Sequence, residues 1–207
     1  MLERIKEFIG KYSSEECFFE RIKLYFPEWS PEYKMIARAY AETIRDFRHK
    51  LRDGGTPYFE HPLAVAIILL EYLRCRDANI IVAAILHDNA EDLKYLGWTF
   101  EYIANSYREP VVEIVWWVTK PPLEDYNGDK EKRDRMYHQR FSKAPRSAVF
   151  VKLADRLHNL LTLMAHDKDR RMLKIQETRS FYFPLAEEHT VLIHELEEAV
   201  SEIEVMQ

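Results

Sequence analysis

His87 and Asp88 stand side by side in Leu86-His87-Asp88-Asn89-Ala90-Glu91-Asp92. An adjacent imidazole and carboxylate offer one nitrogen and one oxygen to a divalent ion. Glu91 and Asp92 follow at a helical spacing that returns them to the same side. His61, in Tyr58-Phe59-Glu60-His61-Pro62, and Asp155, in Lys152-Leu153-Ala154-Asp155-Arg156, supply a second imidazole and a second carboxylate. This mixed nitrogen and oxygen set suits a fairly hard divalent ion that activates water. It contains no cysteine, so it does not read as a structural zinc knot. Mn2+ tolerates imidazole beside carboxylate, whereas Mg2+ usually avoids imidazole; iron, cobalt and zinc stay open.

Asp88 ends a run, Ile80 to Leu86, that is apolar on every side. Leaving a carboxylate buried and unpaired there costs on the order of several kcal/mol, so it requires a cation or strong hydrogen bonds. An ion pair with Arg156 is the simpler solution. Glu91 and Asp92 count against it, because they add negative charge at the same helix end, which a divalent cation offsets.

Helices must bring these distant groups together. Only 5 of 207 residues are glycine, and long segments repeat at the helical period, so the chain reads as all-α. Leu2, Ile5, Phe8 and Ile9 mark a first helix over 2–12, and Ser13-Ser14-Glu15-Glu16 opens a second. Ser30-Pro31 starts a third that runs to about Leu51. Asp53-Gly54-Gly55-Thr56-Pro57 breaks the chain before a helix that begins near His61. The run 80–86 has the composition of a buried strand or a buried helix. Its Ala83-Ala84 pair and its continuation into Ala90-Glu91-Asp92 favour one central helix. Further helices start near Thr99 and Pro110, cover 129–142, and start at Pro145. The segment 170–205 reads as two helices separated near Pro184.

The net charge of −5 argues against a nucleic-acid-coating protein. Between Lys120 and Arg156, however, ten Lys or Arg face six Asp or Glu. Such an excess suits a small polyanionic ligand, although a solvated helix face would look the same. Cys17 and Cys75 sit among apolar neighbours and read as reduced thiols. The N-terminus lacks a signal core and no apolar run has the length of a membrane span, so a cytoplasmic protein without membrane partner is expected. Nothing in the sequence establishes a homo-oligomer.

The order His61, His87-Asp88, Asp155 resembles the H…HD…D pattern of HD-domain phosphohydrolases. Gly55-Thr56-Pro57-Tyr58-Phe59-Glu60-His61-Pro62, His87-Asp88-Asn89-Ala90-Glu91-Asp92, Val118-Thr119-Lys120 and Val151-Lys152-Leu153-Ala154-Asp155-Arg156-Leu157-His158-Asn159-Leu160 resemble, within that superfamily, the hydrolase domain of RelA/SpoT-type proteins and small alarmone hydrolases. The likeness covers roughly residues 35–200. It implies an HD-domain helical bundle over 31–207 with additional N- and C-terminal helices, residues 1–30 forming an N-terminal extension. It implies hydrolysis of guanosine 3′,5′-bis(diphosphate) or the pentaphosphate to GDP or GTP and pyrophosphate. It implies Mn2+ on His61, His87, Asp88 and Asp155, with Glu91 and Asp92 readying the attacking water.

Arg52, Asn159 and Thr162 fall where that family contacts the nucleotide, and Lys152 and Arg156 are candidates for the phosphates. An intrachain ion pair is the plainer role for Arg156, and helix-packing hydrogen bonds are the plainer role for Asn159 and Thr162. Two positions depart from the family pattern. Asp53 stands where a basic residue is usual, which bears on nucleotide affinity. Asn89 replaces an apolar residue or Thr, with a second-shell effect at most. The chain ends near the last hydrolase helices, so alarmone synthesis is not expected. Hydrolysis of another nucleotide such as NADPH, and alarmone binding without cleavage, remain alternatives.

Overall fold

The computed structural model describes residues 1–206. Thirteen α-helices account for most of them: α1 (Leu2–Lys11), α2 (Glu15–Lys23), α3 (Pro31–Phe47), α4 (Glu60–Ile67), α5 (Ala78–Leu86), α6 (Asn89–Asp92), α7 (Phe100–Ser106), α8 (Glu109–Val118), α9 (Lys130–Phe141), α10 (Arg146–Leu161), α11 (Lys168–Glu177), α12 (Phe183–His189) and α13 (Ile193–Val205). The described residues contain no strand, only an isolated bridge between Leu51 and Pro57. The all-α expectation holds.

Side chains at the helix starts explain several boundaries. Ser14 accepts from the Cys17 amide at 3.2 Å, Ser30 from Tyr33 at 3.1 Å and Thr99 from Tyr102 at 3.1 Å. Each such cap is worth about 1 kcal/mol. Pro31 occupies the first turn of α3, where its missing N–H leaves no helical bond unmade.

α5 is the centre of the molecule. Ile81 through Leu86 are fully buried, and the helix packs against α3, α4, α8 and α10. Burial on all sides is why the run carries no amphipathic signature. Leu2, Ile5, Phe18 and Ile22 belong to the same continuous core, so α1 and α2 are packed onto the bundle. α1 touches α4 and α13.

Three boundaries differ from expectation. α3 ends at Phe47, freeing Lys50 to Arg52 for a turn. α5 does not run on into Ala90-Glu91-Asp92: the chain turns at His87-Asp88, and α6 restarts at Asn89. The break expected at Pro184 is absent. α11 passes through a π turn, Thr178–Tyr182, into α12, and Pro184 sits in the first turn of α12, where an N–H is not required. The separation comes later, at Thr190 and Leu192, with φ of 56° and 57°, so the expected two helical stretches divide there and not at Pro184.

Candidate metal centre

Three elements converge on one point. His61 lies in the first turn of α4, His87 and Asp88 occupy the turn after α5, and Asp155 lies midway along α10. Nε2 of His61 is 3.2 Å from Nε2 of His87 and 3.2 Å from Oδ1 of Asp155. Asp88 Oδ1 is 3.3 Å from His87 Nε2, and Asp155 Oδ1 is 3.9 Å from the same nitrogen. One ligand atom from each of His61, His87 and Asp88 lies within 4.8 Å of the others.

The hydrogen bonds behind the rings fix which nitrogens face inward. His87 Nδ1 is 2.7 Å from the Ala84 carbonyl oxygen, which can only accept. The proton of neutral His87 is therefore on Nδ1, and Nε2 presents a lone pair. His61 Nδ1 is 2.8 Å from Nδ1 of His158. Burial pushes both His61 and His158 below the ordinary histidine value, so both rings are neutral near pH 7. With His61 donating from Nδ1, its Nε2 also presents a lone pair. Two imidazole lone pairs and two carboxylates then face each other with too few protons between them. The donor set fits a divalent cation, with the Ala84 carbonyl and His158 orienting the two rings from behind.

The surrounding charges keep the carboxylates ionised. Burial works against ionisation of Asp88, yet it lies below its ordinary value, and the Tyr58 hydroxyl donates to its carboxylate at 2.7 Å. Burial likewise opposes ionisation of Asp155, but Lys152, 3.0 Å away, holds it well below. Glu91 is different. It is exposed on one side, yet enough protein surrounds its carboxyl for burial, helped by Asp88, to raise it. That is the direction suited to a proton acceptor near neutral pH. Asp92 is tied by the Tyr58 hydroxyl and Lys50 Nζ, each at 2.7 Å.

The nucleotide-contact candidates divide. Arg52 Nη2 donates to Asn159 Oδ1 at 3.1 Å and to Thr162 Oγ1 at 3.0 Å, so these three form one cluster. Asn159 Nδ2 in turn donates to Asp155 Oδ1, joining that cluster to the centre. The Arg52 loop depends on Gly55, which at φ 80° adopts a backbone that side chains disfavour.

Lys152 and Arg156, expected as candidates for the phosphates, are both buried in intrachain ion pairs. Lys152 Nζ is buried between Asp155 and the Val118 carbonyl. The buried Arg156 guanidinium pairs with Glu177 at 2.8 Å and lies 3.9 Å over Tyr182. Its partner is thus Glu177 rather than Asp88. Asp53 pairs with Arg170 at 2.7 Å and His166 at 2.9 Å. Asn89 is fully buried and donates to Thr43 Oγ1 at 3.0 Å, tying α6 to α3.

Sequence reasoning gave no role to His158, Tyr58 or Lys50. His158 had a usable signal: it lies three residues after Asp155 on one helix. Lys50 had none, since its meeting with Asp92 depends on the turn after α3. A cavity of about 600 Å3 also opens beside Glu91, lined in part by Lys120, Trp116 and Arg140. It accounts for part of the basic excess read from the sequence.

Residues 37–191 match the family model of the HD domain. The chain is 33% identical over 178 residues to the guanosine-3′,5′-bis(diphosphate) 3′-pyrophosphohydrolase of Aquifex aeolicus, covering 86% of this chain and 24% of that protein. It is 30% identical over 190 residues to the bifunctional (p)ppGpp synthase/hydrolase SpoT of Escherichia coli, covering 91% and 26%. The chain thus spans about a quarter of the length of these relatives. A solved structure described as a metazoan ortholog of SpoT that hydrolyses ppGpp and plays a role in starvation responses shares the fold. It has a TM-score of 0.71 and 24% identity, with 81% of this chain and 94% of that chain covered.

Proposed function

This chain belongs to the HD-domain family, and from that premise we propose that it is a metal-dependent hydrolase of guanosine 3′,5′-bis(diphosphate) and the corresponding pentaphosphate. The products are pyrophosphate and GDP or GTP. The observation that carries this reading is the convergence of His61, His87, Asp88 and Asp155 beside Glu91, joined through Asn159 to Arg52. The names of the curated relatives supply the substrate.

His61, His87, Asp88 and Asp155 would hold the ion, for which Mn2+ is the best match to the donors. When bound there, a divalent ion would supply Lewis acidity, lowering the pKa of water and polarising a phosphoryl oxygen. Glu91 accepts the proton of the attacking water, and Asp92, fixed by Tyr58 and Lys50, orients it. The water oxygen bonds to the phosphorus at the ribose 3′ position, the bond to the 3′ oxygen breaks, and that oxygen leaves and takes up a proton. Arg52 stacks on the base through its planar guanidinium, with Asn159 and Thr162 beside it. Lys152 and Arg156 act indirectly, by holding Asp155 and α10 in place. Arg140, at the wall of the cavity that also borders Glu91, is better placed to meet the phosphates.

Incubation with guanosine tetraphosphate and Mn2+, with products separated by charge, tests the reading. Pyrophosphate and GDP in equal amounts support it. Release of single phosphate, or preferential turnover of NADPH in the same panel, overturns the substrate assignment. Tight binding without turnover overturns catalysis.

A further inference from the structure

A second cavity, of about 320 Å3, lies between α1, α2 and the segment after α4. Four arginines border it: Arg4, Arg21, Arg74 and Arg76. In a chain of net charge −5 this is a concentrated positive site. Arg21 pairs with Glu71 at 2.7 Å. Arg4, Arg74 and Arg76 form no ion pair with a carboxylate among the described residues.

Aromatic faces hold several of these guanidinium groups. Arg76 lies 3.6 Å over the Tyr25 ring, Arg21 5.2 Å from the same ring, and Arg4 5.4 Å from Phe8. Such contacts fix planar cations without neutralising them. Arg74 borders the cavity from a backbone φ of 54°, a left-handed conformation that side chains disfavour. Behind the wall, closed off from the cavity itself, the Arg21 Nε donor and the Glu71 Oε1 acceptor are buried without partners. Glu71 is 6% exposed, and an unpaired oxygen at such a position is uncommon.

We propose that this cavity is a binding site, separate from the metal centre, for a nucleoside di- or triphosphate. The guanidinium groups take the phosphate oxygens, for which their planar forks are suited. The aromatic residues give the nucleoside an apolar wall.

Calorimetric titration of the full chain, in chelator without divalent metal, tests this with GTP, ATP and inorganic pyrophosphate as probes. Arg4 and Arg74 are exposed, so the double variant R4S/R74S is expected to fold, which circular dichroism checks. The expected result is GTP or ATP binding in the parent, weakened at least about tenfold in the variant, with pyrophosphate binding more weakly than either nucleotide. No metal-free nucleotide binding, or binding equal in parent and variant, overturns the site. Pyrophosphate binding as tightly as the nucleotides overturns the nucleoside assignment. The readout uses neither metal nor turnover, so failure of the hydrolase reading leaves this test intact. An unchanged hydrolase rate in R4S/R74S supports the separation of the two sites, and a lost rate overturns it.

Discussion

His158 Nδ1 lies 2.8 Å from Nδ1 of His61, ring behind ring, on the side away from the metal centre. Only one proton can occupy that contact. With His61 supplying it, the His61 Nε2 lone pair is free for a cation, and His158 serves as the acceptor that sets the tautomer.

Replacing His158 with Ala should therefore weaken metal binding about 10- to 100-fold, the range for losing such a support. Metal competition with a chromophoric chelator measures it. An affinity equal to that of the parent would show that the His61 ring needs no support from α10.

Asp88→Ala and Glu91→Gln should separate binding from chemistry. The first loses bound Mn2+ and turnover together. The second keeps the metal and loses about 10²- to 10⁴-fold in rate, the usual worth of a positioned base. Mn2+ at 100 times its dissociation constant should also stabilise the parent by about 2.7 kcal/mol, and Asp88→Ala should lose that thermal shift. Full activity in either variant refutes its role.

Arg52 makes its contacts at the edge of the site, through Asn159 and Thr162. Arg52→Ala should raise KM about 10- to 100-fold, from the loss of a charged hydrogen-bonding group, with kcat nearly unchanged. Arg52→Lys should restore little, because an ammonium lacks the planar face. Steady-state kinetics decide the matter; a fall in kcat alone contradicts a binding role.

Glu177 gathers Arg156, Lys174, Lys120 and His138 between α9, α10 and α11. Burial works against its ionisation, yet the His138 contact and the surrounding cations hold it far below the ordinary glutamate value. The sign follows: this stabilisation is present above the unfolded value of about 4.3 and is lost as pH falls beneath it. Glu177→Gln should cost about 3–5 kcal/mol at pH 7, as breaking a buried pair does, with the deficit narrowing below about pH 4. Urea unfolding at several pH values checks this; a constant deficit would remove the electrostatic explanation.

Much of the centre was legible in residue order. His87-Asp88 at the end of an apolar run demands a partner for buried charge, and His61 and Asp155 sit in segments of matching character. The helices were legible too, because apolar spacing and Ser, Thr and Pro at helix starts are local signals. Pro184 misled for the same reason: locally it reads as a break, but a π turn absorbs it.

The sequence by itself determined that the chain is helical, that His61, His87, Asp88 and Asp155 suit a divalent ion, and that Glu91 and Asp92 accompany them. Only the tertiary structure decided which charges meet. It turned Lys152 and Arg156 inward onto Asp155 and Glu177, set His158 behind His61, and brought Lys50 to Asp92. Spacing along one helix is fixed by backbone geometry, whereas contacts between helices depend on how buried apolar faces pack and on the turns that join them.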